Sequence, residues 1–256
     1  SYPFAGPTAL EEAFPEEALD VIVGIIGEGV AANQLPNGQW VGSLDNLVGG
    51  NGYWFICSDA VSFSYIEPTS LRTFFNDLNP TPNEFSYTQS TEQAFYFIED
   101  IKNVSKGDWV VAYRDNVVVG AREWVGAYTD IPAMGVDIDL PTEGYAVTGD
   151  NISFKILKSD TGELINLKGD IPLWSNNSIN IITYLDIDEN QNPTSFKLGE
   201  VYPNPFNPVT EIKFSVPDLI NVDLSIYDMQ GRLVESLHSG ILDPGEYSFT
   251  WTANEY

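Results

Sequence analysis

The sequence is poor in the two side chains that most often build reactive or metal-binding sites. Its 256 residues include one cysteine and one histidine. The single cysteine, Cys57, excludes a disulfide within the chain, and metal sites made of histidine and cysteine are excluded by count. The histidine, His238, precedes Ser239 and Gly240, where an exposed turn is expected, so Ser-His-Asp or Cys-His catalysis lacks its base. Carboxylates are plentiful, but their spacing singles out no glycosidase pair. We therefore predict no catalytic residue and expect that the protein is not an enzyme.

Basic residues and long apolar runs are also scarce. Lys and Arg number 11 against 37 Asp and Glu, which gives a formal net charge of -26. Such a surface repels phosphate, so we expect no nucleic-acid partner. The acidity is typical of a solvated surface in a salty extracellular medium, and attraction of divalent cations is the alternative. No run approaches the ~20 apolar residues of a membrane-spanning helix, so no transmembrane segment is predicted.

Short apolar runs between turn residues are what the chain has in quantity. A hydrophobic fraction of 43% and an aromatic fraction of 13% exclude a disordered chain. Runs such as Tyr53–Cys57 and Val61–Ile66 are bounded by Gly, Pro and Asn, which favours antiparallel sheets over βαβ units. Cys57 is predicted to be a small buried residue of its strand. Near the N-terminus, Thr8–Glu11 has the form of a capping box and predicts a short helix.

Changes in composition divide the chain into three modules joined by two linkers. The predicted boundaries are 1–70 for a small α+β or β-rich module, 71–84 for a linker, 85–185 for a β-sandwich module, 186–195 for a linker and 196–256 for the last module. The strands predicted for the middle module are Ala94–Ile98, Trp109–Arg114, Val117–Val125, Gly144–Thr148, Ser153–Leu157 and Ile179–Leu185. The predicted fold class is mainly β, with tandem β-rich or β-sandwich modules and a short N-terminal helix.

Alternating oxygen-bearing side chains in the second linker indicate a candidate calcium site. The four residues are Asp186, Asp188, Asn190 and Asn192. Their spacing is that of the first ligands in an EF-hand loop. However, Gln191 stands where that loop requires glycine, and Lys197 stands where it requires a bidentate glutamate. Calcium is therefore a candidate ligand here, and a solvated linker without any cofactor is the favoured alternative.

Tryptophans in the first two modules suggest a second kind of partner. Exposed indole rings can stack on sugar rings, whereas most buried tryptophans are core residues. The candidates are Trp40, Trp54, Trp109, Trp124 and Trp174. A polysaccharide is therefore a candidate partner.

The last module contains the most specific motif of the sequence. The motif consists of Tyr202, Pro203, Asn204, Pro205, Phe206, Asn207 and Pro208. Its prolines fix φ and favour a rigid turn, which Phe206 is expected to anchor in the core. Two apolar series follow at the period of half-buried strands. They are Ile212, Phe214 and Val216, and then Val222, Leu224 and Ile226. A turn ending in glycine is predicted at Asp228–Gly231.

This module resembles the type A C-terminal sorting domain of type IX secretion cargo, the Por secretion system family. The likeness runs from Phe196 to Trp251 with the motifs in order. The resemblance implies an immunoglobulin-like sandwich, export across the outer membrane, and an extracellular or cell-surface location. It also implies further strands beyond the tryptophan, whereas the chain stops at Tyr256, so the domain is predicted to be truncated at its C-terminus.

Three interpretations of this short C-terminus stay open. Residues beyond Tyr256 are omitted, or the tail is cleaved after export, or a strand from a neighbouring subunit completes the open sheet. Ser1–Pro7 is the candidate donor strand. The preferred function is a secreted non-catalytic structural protein of the bacterial cell surface, a self-assembling fibre subunit that associates through exposed sheet edges. The alternative is a glycan-binding or adhesive surface module.

Overall fold

The computed structural model describes residues 1–68, 78–188 and 196–253. These residues form a mainly β protein with short helices, which confirms the predicted fold class. The chain divides into two compact units, Ser1–Asp188 and Glu189–Tyr256. Within the described ranges, no helix has the length and apolar character needed to cross a membrane.

The elements are short and are named here in chain order. The first unit contains helices α1 (Leu10–Ala13) and α2 (Glu16–Leu19) and a 3-10 helix at Asn83–Phe85. Its strands are β1 (Thr8–Ala9), β2 (Ile22–Ile26), β3 (Ala31–Gln34), β4 (Trp40–Gly42), β5 (Asn46–Leu47), β6 (Trp54–Cys57), β7 (Gln93–Ile98), β8 (Trp109–Arg114), β9 (Val117–Glu123), β10 (Thr129–Met134), β11 (Ser153–Leu157), β12 (Leu164–Lys168), β13 (Ile179–Ile182) and β14 (Asp186–Ile187). The second unit contains β15 (Lys197–Leu198), β16 (Val209–Val216), β17 (Ile220–Tyr227), β18 (Leu233–Leu242) and β19 (Gly245–Thr252).

The described residues of the first unit form four sheets. Strands β1 and β5 form a short pair, and β4-β3-β2-β6 form a four-stranded sheet. The order β10-β7-β13 gives a three-stranded sheet, and β14-β12-β11-β8-β9 gives a five-stranded one. Strand β13 lies parallel to β7, while the other strand pairs of this unit are antiparallel. The turn-bounded apolar runs of the sequence therefore form antiparallel sheets, as predicted.

The N-terminal helices begin differently from the prediction. Pro15 separates α1 from α2, because proline cannot donate the hydrogen bond that would continue a helix. Thr8 is paired with Leu47 in β1–β5, and Ala9 is the N-cap of α1 without a side-chain cap. The predicted capping box is therefore wrong, because strand pairing has already placed Thr8 in the sheet.

Strand β7 lies between two hydrophobic cores. Its six residues are all buried. Tyr96 and Ile98 belong to the core shared with the five-stranded sheet, whereas Phe95 and Phe97 pack against Ile26 of β2. A strand buried on both faces has a continuous apolar sequence, which explains why this run shows no alternation. The predicted regions 1–70 and 85–185 therefore share a core within the first unit.

The core between the three- and five-stranded sheets contains large aromatic side chains. Tyr96 meets Phe154 edge to face, with the ring centroids 5.3 Å apart. Trp174 is 3% exposed, and its Nε1 donates to the carbonyl of Ala133 at 2.9 Å. Gly135 lies against this indole, and a Cβ there would be 2.5 Å from the ring. Buried aromatic area and a satisfied indole N–H together stabilise this sandwich.

Some predicted strands do not form, and some strands of the structure were not predicted. Neither Val61–Ile66 nor Gly144–Thr148 forms a strand. Strands β3, β10 and β12 were not predicted. Strand β10 contains Pro132, which argues against a central strand, but it lies at a sheet edge where proline is tolerated. Cys57 is exposed at the end of edge strand β6, so its predicted burial is wrong.

The two predicted linkers differ in what the structure describes. Part of 71–84 and most of 186–195 lie outside the described residues, which end at 68 and 188 and resume at 78 and 196. The division between the two units falls inside the second predicted linker. The separation of the first unit into two modules stays a prediction.

Residues 196–253 of the second unit form two sheets. Strands β15-β16-β19 form one, and β17-β18 form a two-stranded ribbon. His238 of β18 pairs with Leu224 of β17, and its ring lies 5.4 Å from that of Phe249 on β19. The ribbon therefore packs over the three-stranded sheet through these side chains. The immunoglobulin-like assignment stays a prediction.

Candidate functional site

The predicted sorting motif lies in the loop between β15 and β16. The backbone of Tyr202 exchanges hydrogen bonds of 3.1 and 2.9 Å with Glu211 of β16. The hydroxyl of Thr210 donates to the carbonyl of Pro203 at 2.9 Å. The side chain of Tyr202 is 77% exposed. The strand therefore holds the backbone of the motif while its tyrosine faces solvent.

Phe206 contacts Trp251, the last residue of the region that resembles a sorting domain. Its ring is half-buried, with its centroid 5.1 Å from that of Trp251 on β19. The remaining motif residues are exposed: Pro203, Asn204, Pro205, Asn207 and Pro208. Phe206 therefore contacts Trp251 but is half-buried, so the prediction that it lies in the core is wrong.

Strand β16 supplies the buried residues of this unit. Ile212, Phe214 and Val216 are buried, as their alternation predicted. Phe214 stacks on Tyr247 and Phe249 with centroid distances of 5.7 and 5.8 Å. Over residues 196–253, the only other buried side chains are Thr210 and Ser215. This core is small for a unit of its length.

The ribbon has two outer edges that differ in regularity. Among the described residues, β17 and β18 pair only with each other. The register between the two strands shifts twice. Leu224 pairs with His238, but the next residue, Ser225, pairs with Ser236. The second shift lies between Ile226 and Tyr227. Both shifts place the additional residue on β18. The outer edge of β17 is therefore regular, whereas β18 carries bulges of the kind that protect an edge.

Large apolar side chains are exposed along the ribbon. The β17 residues Ile220 and Tyr227 are 43% and 61% exposed, and Leu219 just before them is 66% exposed. On β18, Leu233 and Ile241 are 60% and 70% exposed. The ribbon therefore offers unpaired backbone groups together with apolar surface.

Two carboxylates of the second unit are held in the ionised form. Hydrogen bonds from the backbone and side chain of Arg232 lower the pKa of Asp228, which caps the turn predicted after β17. Hydrogen bonds from Ser248 and Lys213 lower the pKa of Glu211. Both groups therefore add to the negative charge of the unit.

The N-terminal segment is part of the first unit's core. Tyr2 is 1% exposed and packs edge to face on Tyr65, with centroids 5.0 Å apart. Its backbone N–H donates to Asn51, and its carbonyl accepts from Gly50, both at 3.0 Å. The hypothesis that Ser1–Pro7 is a free donor strand is therefore wrong, because removing this segment would empty its own core.

The candidate calcium residues are divided between described and undescribed parts of the chain. Asp186 forms a 3.1 Å ion pair with Lys102, which lowers the pKa of that carboxyl. Asp188 lies 3.4 Å from the ammonium of Lys168. Asn190 and Asn192 lie outside the described residues. No cluster of three potential His, Cys, Asp or Glu ligands occurs in the parts that the structure describes. The calcium site stays a prediction.

The candidate tryptophans differ sharply in exposure. Trp124 and Trp174 are 6% and 3% exposed and are core residues. Trp40 and Trp109 are half-buried. Trp54, on edge strand β6, is 41% exposed and lines a cleft together with Gln89 and Leu140. Of the five candidates, Trp54 is the one whose indole is available for stacking.

Sequence reasoning missed a buried ion pair. Arg122 Nη2 lies 3.3 Å from Asp130 Oδ2, with both side chains almost fully buried. Ser43 Oγ donates to the same carboxylate at 2.6 Å, and Arg122 also donates to the carbonyl of Gly29 at 2.8 Å. Burial raises the pKa of Asp130, against the opposing effect of Arg122. The cluster connects β9 and β10 to the N-terminal sheet and borders a cleft of about 410 Å³. No local motif marks the cluster, because Gly29 and Ser43 are distant in sequence from Arg122 and Asp130.

Comparison with known families concerns the second unit. Residues 200–243 match the family described as the secretion system C-terminal sorting domain. No curated protein and no solved structure matches the chain. The matched range contains the whole proline-rich motif, β16, β17 and β18.

The second unit therefore contains a type IX secretion sorting domain, as the motif predicted. The protein is cargo of that system, exported across the outer membrane to the cell surface or the extracellular space.

Proposed function

We propose that the exported protein is a non-catalytic structural protein of the cell surface that associates with itself through sheet edges of its second unit. The observation that carries the proposal is the regular outer edge of β17, which has no partner strand within residues 196–253 and is flanked by the exposed side chains of Ile220 and Tyr227. An unpaired strand offers a row of N–H and C=O groups to another chain. Pairing would also add buried apolar surface to a unit whose core is small.

A fibre requires contacts that do not close on themselves. Strand β19 pairs with β16 in continuous register, and its outer edge has no partner within residues 196–253. Pairing of β17 in one copy with β19 in the next is a head-to-tail contact, and repetition of such a contact gives a filament. Each copy carries a net charge of -26, so screening by salt should favour this association.

The proposal is tested by placing charge on the edge of β17. The double variant Ile220→Lys and Tyr227→Lys should remain dispersed, because lysine on an edge strand opposes pairing with another chain. Ile241→Lys is the control, since Ile241 is 70% exposed, more than either Ile220 or Tyr227, but lies on the bulged strand. Sedimentation velocity and negative-stain microscopy should show filaments for the native chain and the control. A native chain that stays monomeric at high concentration and high salt overturns the proposal.

A second candidate function is glycan binding, in an adhesive surface module. The observation that favours it is the exposed indole of Trp54 beside polar side chains in a cleft. Native gels that contain a polysaccharide test this function, because binding retards the protein. The two functions are compatible, since Trp54 lies in the first unit and β17 in the second.

A further inference from the structure

The cleft beside Trp54 combines an aromatic surface with hydrogen-bonding groups. Its volume is about 260 Å³. The residues that line it include Glu28, Trp54, Gln89, Thr91, Gln93 and Leu140. Trp54 and Leu140 supply apolar surface, with 41% and 40% of these residues exposed. Ligand sites in proteins have this character, with an apolar wall and a few placed polar groups.

The loop that carries Glu28 is held by a buried amide. Gln93 of β7 is 1% exposed. Its Nε2 donates to the carbonyl of Gly27 at 2.8 Å, and its Oε1 accepts from the N–H of Gly29 at 3.3 Å. Glu28 lies between these two contacts in sequence. Strand β7 therefore positions the backbone that carries Glu28, a residue that lines the cleft.

The other polar groups of the cleft are fixed in the same network. Gln89 Nε2 donates to Gln93 Oε1 and to the carbonyl of Ser90, both at 3.2 Å. Gly29 has φ +68, and a Cβ there would lie 2.7 Å from Gln89 Oε1, so a side chain at this position would displace the amide. The hydroxyl of Thr91, just before β7, donates to the carboxylate of Asp137 at 2.8 Å. This hydrogen bond connects the segment before β7 to the loop that carries Leu140. Groups held in this way lose little freedom when a ligand binds.

We infer that this cleft binds one neutral pyranose unit of an extracellular polysaccharide. The indole face of Trp54 stacks on the apolar face of the sugar ring, and Gln89 Oε1 and Thr91 Oγ1 accept hydrogen bonds from its hydroxyls. Among the residues that the structure describes, no Lys or Arg lines the cleft, and Glu28, which is acidic, is its one ionisable group. Together with the net charge of -26, this excludes uronates and sulfated sugars as preferred ligands. The inference deepens the glycan-binding candidate and is independent of the association through β17.

The test uses native gels, each of which contains one polysaccharide. Three gels contain a neutral polymer, namely hydroxyethyl cellulose, laminarin or galactomannan. The fourth contains pectate, which is acidic. At least one neutral polymer should retard the full chain, and pectate should not. Isothermal titration with an oligosaccharide of the retarding polymer then gives the affinity. Trp54→Ala should weaken binding at least about tenfold, as expected for loss of an aromatic anchor. Trp54→Phe should retain part of the binding, because it keeps a smaller aromatic face.

Tyr184→Ala is the matched control, because Tyr184 is 46% exposed in the same unit and does not line the cleft. Its affinity should equal that of the native chain. The inference is overturned if no neutral polymer retards the native protein, if Trp54→Ala and Trp54→Phe both bind unchanged, or if pectate binds most tightly. Sedimentation without sugar measures self-association separately, so loss of sugar binding and loss of filament formation are distinguishable.

Discussion

At the scale of single residues, Asp108 is a buried carboxylate of the first unit that accepts several hydrogen bonds. Its oxygens accept from the N–H of Ser105 and of Ser159 at 2.8 and 2.9 Å, and from the ammonium of Lys158 at 2.5 Å. Burial alone would raise the pKa of Asp108, but these hydrogen bonds outweigh it and hold the pKa below its ordinary value. The residue therefore joins the loop before β8 to the end of β11 in its ionised form.

The lowered pKa of Asp108 predicts a defined dependence of stability on pH. A carboxyl whose pKa is lower in the folded state stabilises the protein above its unfolded pKa of about 4, and this stabilisation is lost as the pH falls through the folded pKa. Asp108→Asn should reduce the free energy of unfolding by about 1.5–3 kcal/mol near neutral pH. Urea denaturation should show this difference narrowing below about pH 4.

Asp115→Asn is the control for this prediction. Asp115 also pairs with a cation, Arg114, but its side chain is 77% exposed. We expect little change in stability at any pH, because exposed ion pairs contribute little. A difference between native and Asp108→Asn proteins that stays constant down to acid pH would contradict the role assigned to the ionised carboxylate.

At the scale of elements, the two sheets of the larger core meet at a glycine. Gly120 lies on β9 of the five-stranded sheet, and a Cβ there would be 1.8 Å from the carbonyl oxygen of Pro132 on β10. No side-chain rotation relieves a clash with backbone. The close approach of β9 and β10 therefore depends on the absence of a side chain at this position.

Gly120→Ala is expected to destabilise the first unit by about 1–3 kcal/mol or more, because the two strands must separate to admit the methyl group. Gly52→Ala is the matched control, since a Cβ at Gly52 would meet no atom within 4 Å. Thermal unfolding should show a clearly lower midpoint for Gly120→Ala alone. Equal unfolding midpoints for the two variants would contradict this prediction, because they would show that β9 and β10 admit the methyl group without loss of stability.

At the scale of the whole molecule, the two compact units carry different properties. The sorting motif and the regular edge of β17 belong to the second unit, whereas the cleft at Trp54 belongs to the first. The boundary between the two units lies after Asp188, so a truncation there separates the properties of the first unit from those of the second.

The fragment 1–188 is expected to fold, to bind the same neutral polysaccharide as the full chain, and to remain monomeric. It retains the cores of the first unit but lacks both outer edges proposed for association. Sedimentation velocity of the fragment and the full chain at equal concentration and salt measures the difference. Filaments formed by the fragment would place the association surface in the first unit and contradict the assignment to β17.

The sequence by itself determined the sorting domain, the mainly β class and the strands with a clear local period. The proline-rich motif and the alternation of Ile212, Phe214 and Val216 are local patterns, and local geometry sets the face on which each residue lies. For the same reason the hairpin of β8 and β9 was predictable from its apolar runs and the turn between them.

The tertiary structure alone decided which of these residues are accessible. Cys57 and Trp54 lie in one apolar run, which predicted burial, yet both are exposed on edge strand β6. Tyr2 appeared to belong to a free segment, yet it is buried because Tyr65 packs against it. The contact between Arg122 and Asp130 also depends on how sheets meet. Exposure depends on what packs opposite a residue, and the pattern of neighbouring residues in the chain does not contain that information.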